Sequence, residues 1–281
     1  MENGLIGGQA FGDFLSRIDW SRPWLAPLWA AGAALSHGVG DWRKSANLLL
    51  QQERLSNHRG QPLCLVDQAE LPTHLAYETY IGATGRIPTR DNAHDFFNAL
   101  MWLAWPIVKA RLNALQAQAI ALQETDPGAA AVPVRQRGGL RDALTLFDEN
   151  AAVVVASDPT LCALLQRHAW QTLFMERRAE FGRQWEVLLF GHALLEKLVT
   201  PYKAITAHAW LIQVDADFFM LQAAEKITRL DHLIAQRLQI DLRPAAFTPL
   251  PVLGVPGWAD GQTVAYYDDV AVFRPPRATR L

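Results

Sequence analysis

The sequence predicts an α+β protein, predominantly helical around a small β-sheet, with an extended Pro/Gly-rich C-terminal tail. Three observations predict it. Two long segments, 92–116 and 218–238, carry apolar residues at helical spacing. Short apolar runs at 63–66, 185–190 and 205–214 are set apart by turn residues, as strands are. From Pro244 to Leu281 the chain is rich in Pro and Gly and has no core of its own. No linker divides two self-sufficient halves, so one globular domain is expected over residues 13–281, with 1–12 as a disordered lead and 244–281 laid over the body.

The organising element is the predicted helix from Asn92 to Gln116. Asp91 and Asn92 offer side-chain oxygens to free first-turn amides, and Asn92 with Asp95 approximates a capping box. Apolar residues cover well over half of the helix circumference, so the helix is mostly buried. A narrow stripe of His94, Asp95, Asn98, Trp102, Trp105, Lys109 and Asn113 remains. Pro106 removes a backbone donor, which predicts a kink near Trp102. The stripe has two readings: an exposed face whose tryptophans another part of the chain covers, or the wall of a pocket with His94 and Asp95 at its mouth.

Composition excludes several classes of function. Half of the 281 residues are apolar and 19% are charged, a globular balance rather than a disordered one. A net charge of −2 gives no basic footprint for nucleic acid. Cys64 and Cys162 lack any zinc-ligand or disulfide spacing and fit a reducing cytoplasm. The most apolar early run, Trp24 to Leu35, is interrupted by Pro27 and too short for a bilayer core of about 30 Å. A soluble cytoplasmic protein without membrane or nucleic-acid partners is expected.

Along the chain, residues 11–42 hold four tryptophans and must pack on the body. They read as short helices broken at Pro23 and Pro27, with a helix start at Ser21. Residues 44–58 fit helix or strand. Thr73 to Ile81 reads as a helix ending toward Gly82 and Gly85. Residues 123–139 read as a loop. Ala143–Phe147 and Ala151–Ala156 read as a β-hairpin with Asp148, Glu149 and Asn150 at its tip. A helix starts at Asp158. Trp185 to Phe190, His192 to Val199 and Ile205 to Val214 read as a strand–helix–strand unit, parallel or antiparallel. Asp215 and Asp217 cap a last amphipathic helix.

Candidate chemistry gathers around His192, which follows Gly191 where a strand feeds a helix. Glu196, four residues on, shares its face, so the two suit an acid/base pair or two metal ligands. His94 and Asp95 would complete a catalytic set, and a divalent metal is the cofactor such a set accepts. Asp148, Glu149 and His208 are the further metal-ligand candidates, with Asp142 also to be tested for proximity. Asn98, Trp102, Trp105, Lys109, Tyr202 and Lys203 are the expected pocket lining. Each has a plainer role too: hairpin-tip carboxylates for Asp148 and Glu149, core for His208, dipole partner for Lys203. The YYDD run, Tyr266 to Asp269, reads as a solvated acidic turn. No Walker, Rossmann, HExxH or GxSxG motif is present.

The runs IPTRDNAHDFFNALMWLAWP, RDALTLFDEN, FGHALLEKLVTPYKAITAHA, PLPVLGVPGW and YYDDVAVFRPPR together resemble a proteobacterial family known only as a domain of unknown function. The likeness spans about Trp20 to Arg277. It implies a single bacterial cytoplasmic domain and carries no activity or catalytic residues. His94–Asp95 also resembles the paired motif of HD-type metal phosphohydrolases, over that dipeptide alone. Two functions are expected from different classes: an enzyme acting on a small anionic metabolite by metal-assisted hydrolysis, or a scaffold whose tryptophan-rich face around Trp102 and Trp105 meets a partner protein. Convergence of His94, His192 and Glu196 in a concavity discriminates them.

Overall fold

A computed structural model of the chain describes residues 11–37, 41–125, 139–239 and 242–276. The expected frayed lead up to residue 10 and most of the 123–139 loop lie outside the described residues. The remainder is α+β, mainly helical with two small sheets.

After a helical turn over 11–16, a 3-10 helix Pro23–Leu28 leads into helix α1 (Trp29–His37) and then α2 (Trp42–Gln52). Pro23 and Pro27 thus lie within one 3-10 helix rather than breaking two helices, and Arg22 rather than Ser21 precedes it. Trp20, Trp24 and Trp42 are buried while Trp29 is exposed. The Phe11 ring packs on Trp42 and Phe96, which ties this segment to the central helix.

Strand β1 (Cys64–Asp67), helix α3 (Tyr77–Thr84) and strand β2 (Arg86–Thr89) follow, with β1 and β2 paired in parallel. Strand β2 is unanticipated, because Pro88 argues against a strand except in an edge position such as this. Gly85 ends α3 at φ +74°, a conformation that glycine adopts without strain.

The single helix expected over 92–116 is two helices, α4 (Ala93–Ala104) and α5 (Pro106–Thr125). Asn92 caps α4 as predicted, its Oδ1 accepting from the Asp95 amide at 2.7 Å. The chain breaks at Trp105, three residues beyond the expected kink, because the residue before proline is driven out of the helical region. The first-turn amides of the new helix, which have no partner within it, are capped from afar: Ile107 N and Val108 N donate to Asp231 Oδ2 and Oδ1 at 3.0 and 2.8 Å.

The hairpin expected over 143–156 is corrected. Residues Gly139–Asn150 form helix α6, which runs directly into strand β3 (Ala151–Ala156). Buried Ala143, Leu144 and Phe147 share one helical face, a spacing that a short apolar run fitting strand and helix alike conceals. Helix α7 (Pro159–Gln166), strand β4 (Trp185–Leu189), helix α8 (His192–Lys197) and strand β5 (Thr206–Gln213) come next. Helix α9 (Ala223–Arg237) is capped by Gln222 and Glu225, not by Asp215 or Asp217, which stand before and within a separate 3-10 helix, Ala216–Met220. Strand β6 (Thr248–Pro251) and helix α10 (Val264–Tyr267) end the described chain.

The main sheet has the order β4-β3-β5-β6. Strands β4 and β5 are not neighbours: β3 lies between them, antiparallel to β4 and parallel to β5. Every residue of β3 is buried, as a central strand's continuous apolar run requires. The C-terminal stretch enters this sheet through β6, antiparallel to β5, and buries Val252 and Val255. No helix among the described residues is long and apolar enough to cross a membrane.

Candidate metal centre

Three chain segments far apart in sequence meet at one point. Helix α4 begins with His94 in its first turn, helix α6 ends with Asp148 and Glu149, and helix α8 begins with His192. The join of β3 and β4 sets the last two side by side. Phe190 N and Gly191 N both donate to Ala151 O, at 3.0 and 2.9 Å, so the residue after β4 lies beside the residues before β3. Gly191 permits this approach: a Cβ there would stand 2.5 Å from both Asn150 N and Glu149 O. Helix α8 then packs against both α4 and α6.

His94 Nε2 and His192 Nε2 lie 3.0 Å apart. Glu149 Oε1 stands 3.9 Å from the first and 3.6 Å from the second. In a triangle with these sides the point equidistant from the corners lies about 2.1 Å from each, the length of a zinc–nitrogen or zinc–carboxylate bond. Among the described residues, these three form the one group of His, Cys and carboxylate atoms with metal-holding geometry.

Carboxylates stand behind both imidazoles. Glu196 Oε2 is 3.4 Å from His94 Nδ1, and Asp148 Oδ1 is 3.7 Å from His192 Nδ1. A carboxylate behind each Nδ1 favours the tautomer with its proton there, which turns both Nε2 lone pairs inward. Nε2 atoms 3.0 Å apart are satisfied by a shared proton, as a hydrogen bond, or by a cation that both lone pairs face. His192 is 4% exposed, and its Nδ1 has no hydrogen-bond partner at the present separation from Asp148.

Asp148 is itself fixed from below. Lys109 Nζ donates to Asp148 Oδ1 at 2.5 Å and to Asn98 Oδ1 at 2.9 Å, and lies 5.4 Å above the Trp102 ring. Burial raises the Asp148 carboxyl pKa, but the Lys109 and His192 charges outweigh it and hold the group well below the usual carboxylate range. Asp95 accepts from Arg90 N, Nε and Nη2, and so serves as an anchor for that guanidinium.

The triangle opens onto a cleft of about 330 Å³ between α3, α4 and the end of α6. His94, Asp95, Asn98, Asp148, Glu149 and His192 line it. Glu196 reaches the cluster through His94, and Lys109 lies buried beneath it. Trp102 and Trp105, expected on the pocket wall or at a partner-binding face, are corrected to core residues, 2% and 0% exposed. The stripe is open only over its first two turns, since Trp102, Trp105, Lys109 and Asn113 are all buried. Tyr202 and Lys203 are also elsewhere: Tyr202 is exposed and Lys203 binds Asp269 at 2.8 Å, so the YYDD turn holds an ion pair. His208 lies on β5 opposite Ala151 and Pro249, where burial lowers its pKa, and Asp142 is exposed on α6. Tyr77 and Arg90 line the cleft and escaped sequence reasoning, having no motif and no shared period with the histidines.

The fold and site define an α+β protein with two histidines and a glutamate gathered at the foot of a cleft. The chain belongs to the family described as protein of unknown function, DUF3025, which matches residues 63–277 and so includes every residue of the cluster. No curated protein and no solved structure matches the chain.

Proposed function

We propose that the protein is a metal-dependent enzyme of the bacterial cytoplasm, hydrolysing a small anionic metabolite at a mononuclear His94–Glu149–His192 centre. The convergence of the two Nε2 atoms with Glu149 Oε1 carries this reading. Three protein ligands facing a cleft are the pattern of catalytic zinc sites, which keep a position for water or substrate, whereas structural sites close with four. A divalent ion held there would acidify bound water and polarise a substrate oxygen. The cleft's volume is in the range of small-molecule sites. Glu196 and Asp148 orient the two imidazoles, and Lys109 keeps Asp148 ionised.

The test is thermal unfolding of chelator-treated protein with and without zinc, manganese or cobalt, repeated with His192→Ala. A ligand at a hundred times its Kd stabilises the native state by about 2.7 kcal/mol. A metal-dependent rise in Tm that the variant loses is the expected result. No rise with any metal sinks the reading.

A further inference from the structure

Lys109, Asn98 and Tyr77 form a hydrogen-bonded row whose polarity is set at one end. An ammonium group only donates, so the atom of Asn98 that faces Lys109 Nζ at 2.9 Å is its carbonyl Oδ1. The Asn98 amide nitrogen is thereby turned to Tyr77, donating to its Oη at 3.1 Å. An amide nitrogen accepts nothing, so the phenol proton of Tyr77 points away from Asn98. Among the described residues Tyr77 Oη donates no hydrogen bond. Burial, then the Asp95 and Asp148 charges, raise the Tyr77 pKa far above the phenol range, and the group stays a donor at every working pH. Such rows polarise one another, so the buried cation sharpens the terminal donor.

Tyr77 lines the cleft together with Arg90, whose guanidinium Asp95 holds in place. Asn98 follows His94 by one helical turn, which sets the Asn98–Tyr77 end of the row roughly 5 Å along the helix from His94, while Arg90 is held at Asp95, beside His94. Resting on the metal reading above, we infer that Tyr77, with Arg90, receives a carboxylate of the substrate while another oxygen group of the same molecule occupies the metal. The substrate class is then a short acyl compound that carries a second, carboxylate end.

The experiment loads the full chain with cobalt(II) and follows the cobalt absorption band during titration with oxalate, malonate, succinate and glutarate, each against the monocarboxylate of equal carbon number. One dicarboxylate, of four or five carbons, binds at least about tenfold more tightly than its monocarboxylate partner, the scale of one hydrogen bond to a charged group. Tyr77→Phe abolishes that ratio with the cobalt affinity intact. Asn98→Asp abolishes it too, because a carboxylate accepts from both Lys109 and Tyr77 and turns the phenol proton out of the cleft. Cobalt binding with no dicarboxylate preference, or a preference that survives Tyr77→Phe, overturns the inference and leaves the metal reading standing. Absence of cobalt binding overturns both.

Discussion

His94 and His192 are separated by 98 residues, yet their Nε2 atoms stand 3.0 Å apart at the foot of a cleft. Each ring is backed by its own carboxylate, Glu196 or Asp148. Two ring nitrogens this close are satisfied either by a shared proton or by a cation between them.

The ligand and its support are separable by substitution. Glu149→Gln keeps the side-chain volume and removes a ligand charge, so metal-induced stabilisation should be lost while the metal-free Tm stays close to wild type. Glu196→Gln should lower metal affinity by about 10- to 100-fold, the usual effect of losing an outer carboxylate. Isothermal titration of both variants with zinc checks the order; equal effects would show that Glu196 is a ligand instead.

Gly191→Ala tests the junction that brings Glu149 to His192. Its new methyl group would meet the backbone of residues 149–151 at 2.5–2.6 Å, and backbone there cannot yield as a side chain does. A loss of roughly 1–3 kcal/mol in urea unfolding is expected, the scale of overpacking a tight site. Metal affinity should fall with it. Wild-type affinity in a stable variant would mean that the junction does not set the site.

Lys109 and Asp148 are 5% and 16% exposed, and removing one leaves the other charge stranded. Lys109→Met should cost about 3–5 kcal/mol in chemical denaturation. Asp148→Asn in the same chain should recover part of that loss, since no uncompensated carboxylate remains. Additive losses in the double variant would contradict the pairing.

The Asp148 carboxyl titrates well below its ordinary value in the folded chain, Lys109 and His192 outweighing the upward push of burial. Its contribution to stability is therefore complete above an unfolded pKa of about 3.9 and is lost as pH falls below it toward the folded value. Unfolding free energy measured from pH 5 down to pH 2 should fall less steeply in Asp148→Asn than in wild type. Parallel curves would show that Asp148 has no such linkage.

Asp231 accepts from Ile107 N and Val108 N, and stands in for the local cap that Trp105–Pro106 cannot supply. Asp231→Ala should cost about 1–2 kcal/mol, as loss of a helix cap does. Hydrogen exchange should quicken first at those two amides. Unchanged exchange there would place the effect elsewhere.

Part of this site is legible along the chain because its signals are local. Asn92 caps α4 through a contact three residues away, and that fixes His94, Asp95 and Asn98 on one face. Gly191 before His192 marks the start of α8, though without a side-chain cap. Residues 143–147 mislead, since alanine, leucine and phenylalanine fit strand and helix alike, and only the spacing of Ala143, Leu144 and Phe147 betrays the helix. The tryptophan stripe misleads for another reason: helical spacing shows which residues share a face, not whether a neighbouring element covers it. Tyr77 has no periodic link to the histidines at all.

The sequence by itself determined an α+β class, the capped start of α4, the strands around β4 and β5, and the His94, Asp95, Asn98, Asp148, Glu149 and His192 part of the cleft lining. Only the tertiary structure decided that β3 separates β4 from β5, that Trp102 and Trp105 are buried, and that Glu149 rather than Glu196 completes the triangle. The physical reason is range. Caps, turns and helical faces are set by neighbours within a few residues, whereas strand order and the meeting of α4, α6 and α8 depend on burying the apolar β3 between two partners.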